Sequence, residues 1–74
     1  MPVVFSDHAK FQLKERNISQ KRMLEVVMNP TETSQSFKNR RLWRKSFGGK
    51  ILQAVTITDG SKITVISGYY LRKK

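Results

Sequence analysis

Side chains able to grip an anion crowd into one stretch of this sequence, running from Lys38 through Asn39, Arg40, Arg41, Leu42, Trp43 and Arg44 to Lys45. Arginine presents a planar fork of donors that fits a phosphate two bonds at a time, so Arg41 and Arg44 are the candidates for direct phosphate contact. Lys38, Arg40 and Lys45 would hold the rest of a polyanion backbone, which positions a ligand without reading its sequence. Trp43, Tyr69 and Tyr70 offer rings on which unpaired bases can stack. Strand alternation must turn one of the two tyrosines to the open side of a sheet, where its hydroxyl could give or take a proton. His8 is the lone histidine, the residue type that exchanges protons near neutrality.

Each of these residues also has a plainer use. His8 can cap or pack at a helix start. Arg41 and Arg44 can pair with Glu25 or Glu32, or carry their heads out to water along apolar stems. Trp43 can fill the core of a domain with few large side chains. Other chemistries find no footing. Ser61, Thr64 and Ser67 lack a histidine and carboxylate to activate them, the five acids are scattered, and cysteine is absent. No metal and no cofactor is therefore expected, and a reducing compartment such as the cytoplasm suits the chain.

Fifteen Lys and Arg against five Asp and Glu give a formal net charge of +10 on 74 residues, expected to form a single domain, 1–74. That imbalance favours a polyanion or an acidic protein as partner. The charge gathers in 38–45 and in the closing Arg72-Lys73-Lys74 instead of spreading evenly. No apolar run is long enough to span a membrane, and no charged-then-apolar leader is read, so the chain is expected to be mature from Met1 or Pro2.

The elements that must position these residues follow from spacing. Residues 2–5 read as a short strand or an extended lead. Ser6 or Asp7 can cap a first helix on which Phe5, Ala9, Leu13 and Arg16 share a side. Phe11 and Ile18 lie nearly opposite, so this helix is expected to be covered both by a sheet and by a second helix. Asn17 suits the left-handed turn that ends a helix. Ser19 can cap the next, in which Met23, Val26 and Val27, widened by Leu24 and Met28, make the apolar stripe until Asn29-Pro30 stops it. Residues 31–36 fit an edge strand or a loop equally well.

The C-terminal half reads as a meander, 40–47, 50–58 and 61–70, turned at Gly48-Gly49 and Asp59-Gly60. Counting outward from those turns sets Arg44 opposite Gln53 opposite Ile66, and Trp43 opposite Ala54 opposite Val65. Tyr69 then shares the Trp43 side. The face of Leu42, Ile51, Val55, Ile57 and Ile66, interrupted by Arg44 and Gln53, is the one expected to meet the helices.

The phrase His8-Ala9-Lys10-Phe11-Gln12-Leu13-Lys14-Glu15-Arg16-Asn17-Ile18-Ser19, followed by an apolar helix, Asn29-Pro30, a basic strand and a glycine-turned meander, resembles a small family of uncharacterised domains in the RelE/ParE-like toxin superfamily. His8, Ala9, Arg16, Ile18 and Ser19 match its pattern. Gln12 stands where arginine is common and Asn17 where glycine is common. The resemblance implies an α+β fold, two N-terminal helices packed on a three- to four-stranded antiparallel β-meander. It also implies a toxin-like endoribonuclease that cuts mRNA, on the ribosome in RelE-like members, and a small acidic antitoxin protein as partner. The alternative is a non-catalytic nucleic-acid-binding domain, or one that binds an antitoxin or gyrase. Cleavage would be metal-independent, with Arg41 and Arg44 stabilising the phosphate and His8 or Tyr70 moving protons. Arg16, Lys38, Arg40, Trp43, Lys45 and Tyr69 would hold the RNA. That mechanism requires the hairpin's cations to converge with the start of the first helix on a phosphate-sized pocket.

Overall fold

The computed structural model describes residues 2–36 and 38–71, so the terminal run 72–74, read above as part of the basic charge, lies outside the described residues. Strand β1 (Val3–Phe5) leads into helix α1 (Asp7–Glu15), and helix α2 (Gln20–Met28) follows. The remaining elements are strands: β2 (Glu32–Gln35), β3 (Arg40–Phe47), β4 (Lys50–Asp59) and β5 (Lys62–Leu71). Capping follows the sequence closely. Ser6 Oγ accepts from the Ala9 amide and Ser19 Oγ from the Arg22 amide, each satisfying a free N–H of a first helical turn. Asn17 takes the left-handed conformation, φ 57°, and lets the chain reverse between the helices.

The sheet corrects the expected fold. Its order is β1-β5-β4-β3-β2, five strands, with β1 parallel to β5 and every other neighbour antiparallel. Strand occupies 51% of the described residues against 26% for helix, so a mixed five-stranded sheet is the scaffold, not a helix pair resting on a three- to four-stranded antiparallel meander. Two short segments make the difference. Val3–Phe5 joins the β5 edge, with the Ile63 amide donating to the Pro2 carbonyl and the Ser6 amide to the Val65 carbonyl. Glu32–Gln35 pairs with β3 at the far edge. A polar four-residue strand and a three-residue strand carry too little alternation to announce their pairing.

Register departs from the simple count in two places. Gly48 and Gly49, at φ 50° and 94°, turn β3 into β4 as expected, with Phe47 opposite Lys50. The second loop is Gly60-Ser61 with Asp59 opposite Lys62, one residue beyond the expected Asp59-Gly60 turn. A β-bulge then intervenes: Thr56 pairs with Val65 but Val55 pairs with Ser67, leaving Ile66 as the extra residue. Beyond it Gln53 faces Tyr69, not Ile66, and Ala54 faces Gly68, not Val65. One inserted residue exchanges the sides of everything after it. Tyr69 accordingly moves to the Arg44 side and Tyr70 to the Trp43 side.

The helices cover the face opposite to the one expected. α1 packs on β5 and α2 on β4 and β3, burying Leu13 and Met23 against Leu52, Ala54, Thr56 and Val65. A local reason is visible in the small residues. Ala54 and Gly68 are neighbours in the centre of that face, and a side-chain carbon on Gly68 would fall inside contact distance of Met23 Cε and within 3.2 Å of Leu13 Cδ2. This hollow lets the helices approach, whereas the other face presents the branched bulk of Ile51, Val55 and Ile57. Thr56, fully buried on the covered face, accepts the Trp43 indole N–H at 2.8 Å, which satisfies both groups. The second cover expected for α1 is missing on its outer side, where Phe11 is 64% exposed.

Candidate nucleic-acid interface

Four elements meet at one end of the covered face. Arg22 comes from the first turn of α2, Phe47 and Lys50 from either side of the Gly48-Gly49 turn, and Tyr70 from the last residues of β5. The Arg22 guanidinium carbon lies 4.9 Å from the Phe47 ring centroid, and its Nη1 donates to the Tyr70 hydroxyl at 3.4 Å. Lys50 Nζ stands 5.5 Å from the Tyr70 centroid. Lys45 lines up through Leu52 with Tyr70 on the same face, and its Nζ donates to the Asn29 carbonyl at the end of α2, where a cation suits the negative end of the helix. Arg22, Lys45 and Lys50 have no carboxylate partner among the described residues. Two cations, Arg22 and Lys50, thus lie against two half-buried rings with Lys45 further along the same face, and none of the three has a carboxylate partner among the described residues, an arrangement suited to an anion carrying planar groups.

The expected catalytic group is not brought together. Arg41 and Tyr70 share the covered face but stand on β3 and β5 with β4 between them, and in register Arg41 matches Thr56 whereas Tyr70 matches Leu52. Four residues of strand separate those levels, roughly 13 Å. Arg41 lies over the Trp43 ring at 5.7 Å, so it covers the indole it precedes. Arg44 is on the opposite face, where its Nε donates to Gln53 Oε1 at 2.7 Å and its Nη1 is 3.8 Å from Glu32. His8 sits exposed in the first turn of α1. The described residues enclose no pocket in which these four groups could meet.

The binding residues divide as well. Arg16 reaches round the sheet edge just past the end of β1, donating to the Gly68 carbonyl at 3.0 Å and lying 6.0 Å from the Tyr69 centroid. One helical turn earlier, Gln12 accepts the Ser67 hydroxyl at 2.8 Å. Arg16, which ends α1, thus satisfies a β5 carbonyl beyond the reach of β1, and Gln12 ties down the Ser67 side chain beside it. Trp43 packs against the core. Arg40 is exposed at the start of β3, and Lys38, at φ 59°, turns the chain from β2 towards β3. Tyr69 accepts from Gln53 Nε2 on the open face.

Arg22, Phe47 and Lys50 are the functional candidates that spacing missed. Phe47 and Lys50 could have been found, since they face each other across the Gly-Gly turn. Arg22 could not, because it needs the bulge to bring Tyr70 to its side. Among the described residues no three His, Asp or Glu side chains group as metal ligands, and no helix is long and apolar enough to cross a membrane.

Fold and site together define a small, basic, mixed-sheet α+β domain with a cationic and aromatic end. A family model described as "Domain of unknown function (DUF4258)" matches residues 5–69, and the chain belongs to that family. No curated protein and no solved structure matches it.

Proposed function

We propose that this chain is a nucleic-acid-binding domain that holds single-stranded RNA across the end formed by Arg22, Phe47, Lys50 and Tyr70. The observation that carries the reading is the set of cations without carboxylate partners gathered around two rings. Phosphates would sit between Arg22, Lys50 and Lys45. An unpaired base would stack on the outer plane of Arg22, which the Phe47 ring already holds flat. The resemblance to toxins that act on messenger RNA favours RNA over DNA, and a cysteine-free chain suits the cytoplasm where such RNA is found.

Fluorescence anisotropy with a labelled single-stranded RNA tests the reading. Binding should weaken steeply with added salt, and Arg22→Ala should lower affinity about tenfold and reduce the salt slope by about one. Salt-insensitive binding, or an Arg22→Ala variant that binds as tightly as the parent, would refute it.

Endoribonuclease activity is the stricter form of the same proposal, and the contact between Arg22 and the Tyr70 hydroxyl favours it. Tyr70 would move the proton while Arg22 and Lys50 face the charge that builds on the phosphate. Translating ribosomes supplied with labelled messenger should then yield discrete cuts that Tyr70→Phe abolishes. Intact messenger would leave a binding domain without chemistry.

A further inference from the structure

The face of the sheet that the helices leave uncovered carries a polar ladder across three strands. Arg44 Nε donates to Gln53 Oε1 at 2.7 Å, and Gln53 Nε2 donates to the Tyr69 hydroxyl at 2.7 Å. Its direction is fixed by chemistry. A guanidinium can only donate, so the Gln53 oxygen must face Arg44, its nitrogen must face Tyr69, and the tyrosine oxygen must accept. The Tyr69 hydroxyl proton is thereby released to point elsewhere, and among the described residues it meets no acceptor. Gln53 itself is only 4% exposed. A relay with a buried centre therefore presents donors at both of its half-buried ends, the remaining guanidinium N–H groups of Arg44 and the O–H of Tyr69.

Around this ladder lie half-buried aliphatic side chains, Leu42, Ile51, Val55 and Ile57, on a face that neither helix covers. We propose that this open face docks an acidic, aliphatic segment of another protein, with a carboxylate taken by Arg44, a second acceptor by Tyr69, and apolar side chains set on Leu42, Val55 and Ile57. Charge argues for an acidic occupant on a chain of net charge +10. The same charge disfavours a second copy of the chain. Aliphatic groups offer bases nothing to stack on, and Tyr69, the one ring on this face among the described residues, already has Arg16 beside it. Glu32, 3.8 Å from Arg44 and with its side chain 66% exposed, acts as an internal competitor that an incoming carboxylate displaces.

The test uses the full chain, isotopically labelled for nuclear magnetic resonance, and a short synthetic peptide alternating glutamate and leucine. Its counterpart carries glutamine for glutamate, and a single-stranded oligonucleotide serves as third probe. The acidic peptide should shift signals of Leu42, Arg44, Gln53, Val55 and Tyr69, including the Gln53 side-chain amide. Arg44→Met, which keeps the stem and removes the donors, should weaken binding roughly tenfold. Tyr69→Phe, which keeps the ring but also removes the acceptor of Gln53 Nε2, should weaken it severalfold in a variant whose unchanged amide spectrum elsewhere shows the fold intact, and Glu32→Gln should tighten it. Equal affinity for the glutamine peptide, shifts confined to the Arg22 and Tyr70 end, occupation of the open face by the oligonucleotide, or self-association burying that face would each overturn the proposal.

Discussion

The two faces of this one sheet are built from similar strand residues and end up doing different work. On the covered face the small pair Ala54 and Gly68 makes a hollow, the helices fill it with Leu13 and Met23, and the polar members Trp43 and Thr56 satisfy each other. On the open face branched side chains stand higher, no helix arrives, and the polar residues form a relay whose last hydroxyl finds no acceptor among the described residues. Apolar content alone therefore does not choose the core face. Depth chooses it, because close-packed helices need somewhere for their side chains to go. Hydrogen bonding then separates the centre of the covered face, where Trp43 and Thr56 close on each other, from the open face, where the Arg44-Gln53-Tyr69 chain ends on a hydroxyl that accepts but has no acceptor of its own among the described residues.

The comparison breaks most easily at the hollow. Met23→Ala removes a fully buried side chain wedged between α2 and the sheet, and should cost about 2–5 kcal/mol, visible as a large fall in the denaturant midpoint. Gly68→Ala acts in the opposite sense by filling the hollow. Met23 and Leu13 must yield to the added carbon, at a cost of about 1–3 kcal/mol in the same measurement. Val55→Ala, half-buried on the open face, should cost only about 1 kcal/mol, since water already reaches part of the side chain. If Val55→Ala proved as damaging as Met23→Ala, the open face would be as much a core as the covered one, and the contrast would fail.

These differences explain what could be read from the sequence. Helix caps at Ser6 and Ser19, the left-handed Asn17 and the Gly48-Gly49 turn are local chemistry, and each is found where spacing put it. The opposition of Arg44 and Gln53 follows from that turn and holds as well. What could not be read is everything beyond the bulge at Ile66. No residue type there demands an extra residue, yet it reverses the sides of Tyr69 and Tyr70. Both candidate surfaces depend on that reversal, one receiving Tyr70 beside Arg22 and the other Tyr69 beside Gln53. The core face departs from the sequence expectation for a related reason. Counting aliphatic residues favours Leu42, Ile51, Val55 and Ile57, whereas the two small residues that admit the helices are aligned only by the shifted register.

The smallest expected effect is the sharpest test of independence between the surfaces. Tyr69 and Tyr70 are adjacent in sequence but point to opposite sides of β5, so the proposed RNA end and the proposed peptide face leave room for both ligands at once. RNA bound there would neutralise part of the positive field invoked for the peptide, and through that field alone it should weaken peptide binding. At physiological salt, charges separated by more than about 8 Å are largely screened, and the thickness of the sheet with its side chains exceeds that. Peptide affinity measured with and without saturating RNA should therefore differ by less than about twofold, growing only as salt is lowered. A larger coupling that persists at high salt would require the strand itself to transmit it, with Tyr69 and Tyr70 shifting together about the bulge. That result would turn two faces into one switch.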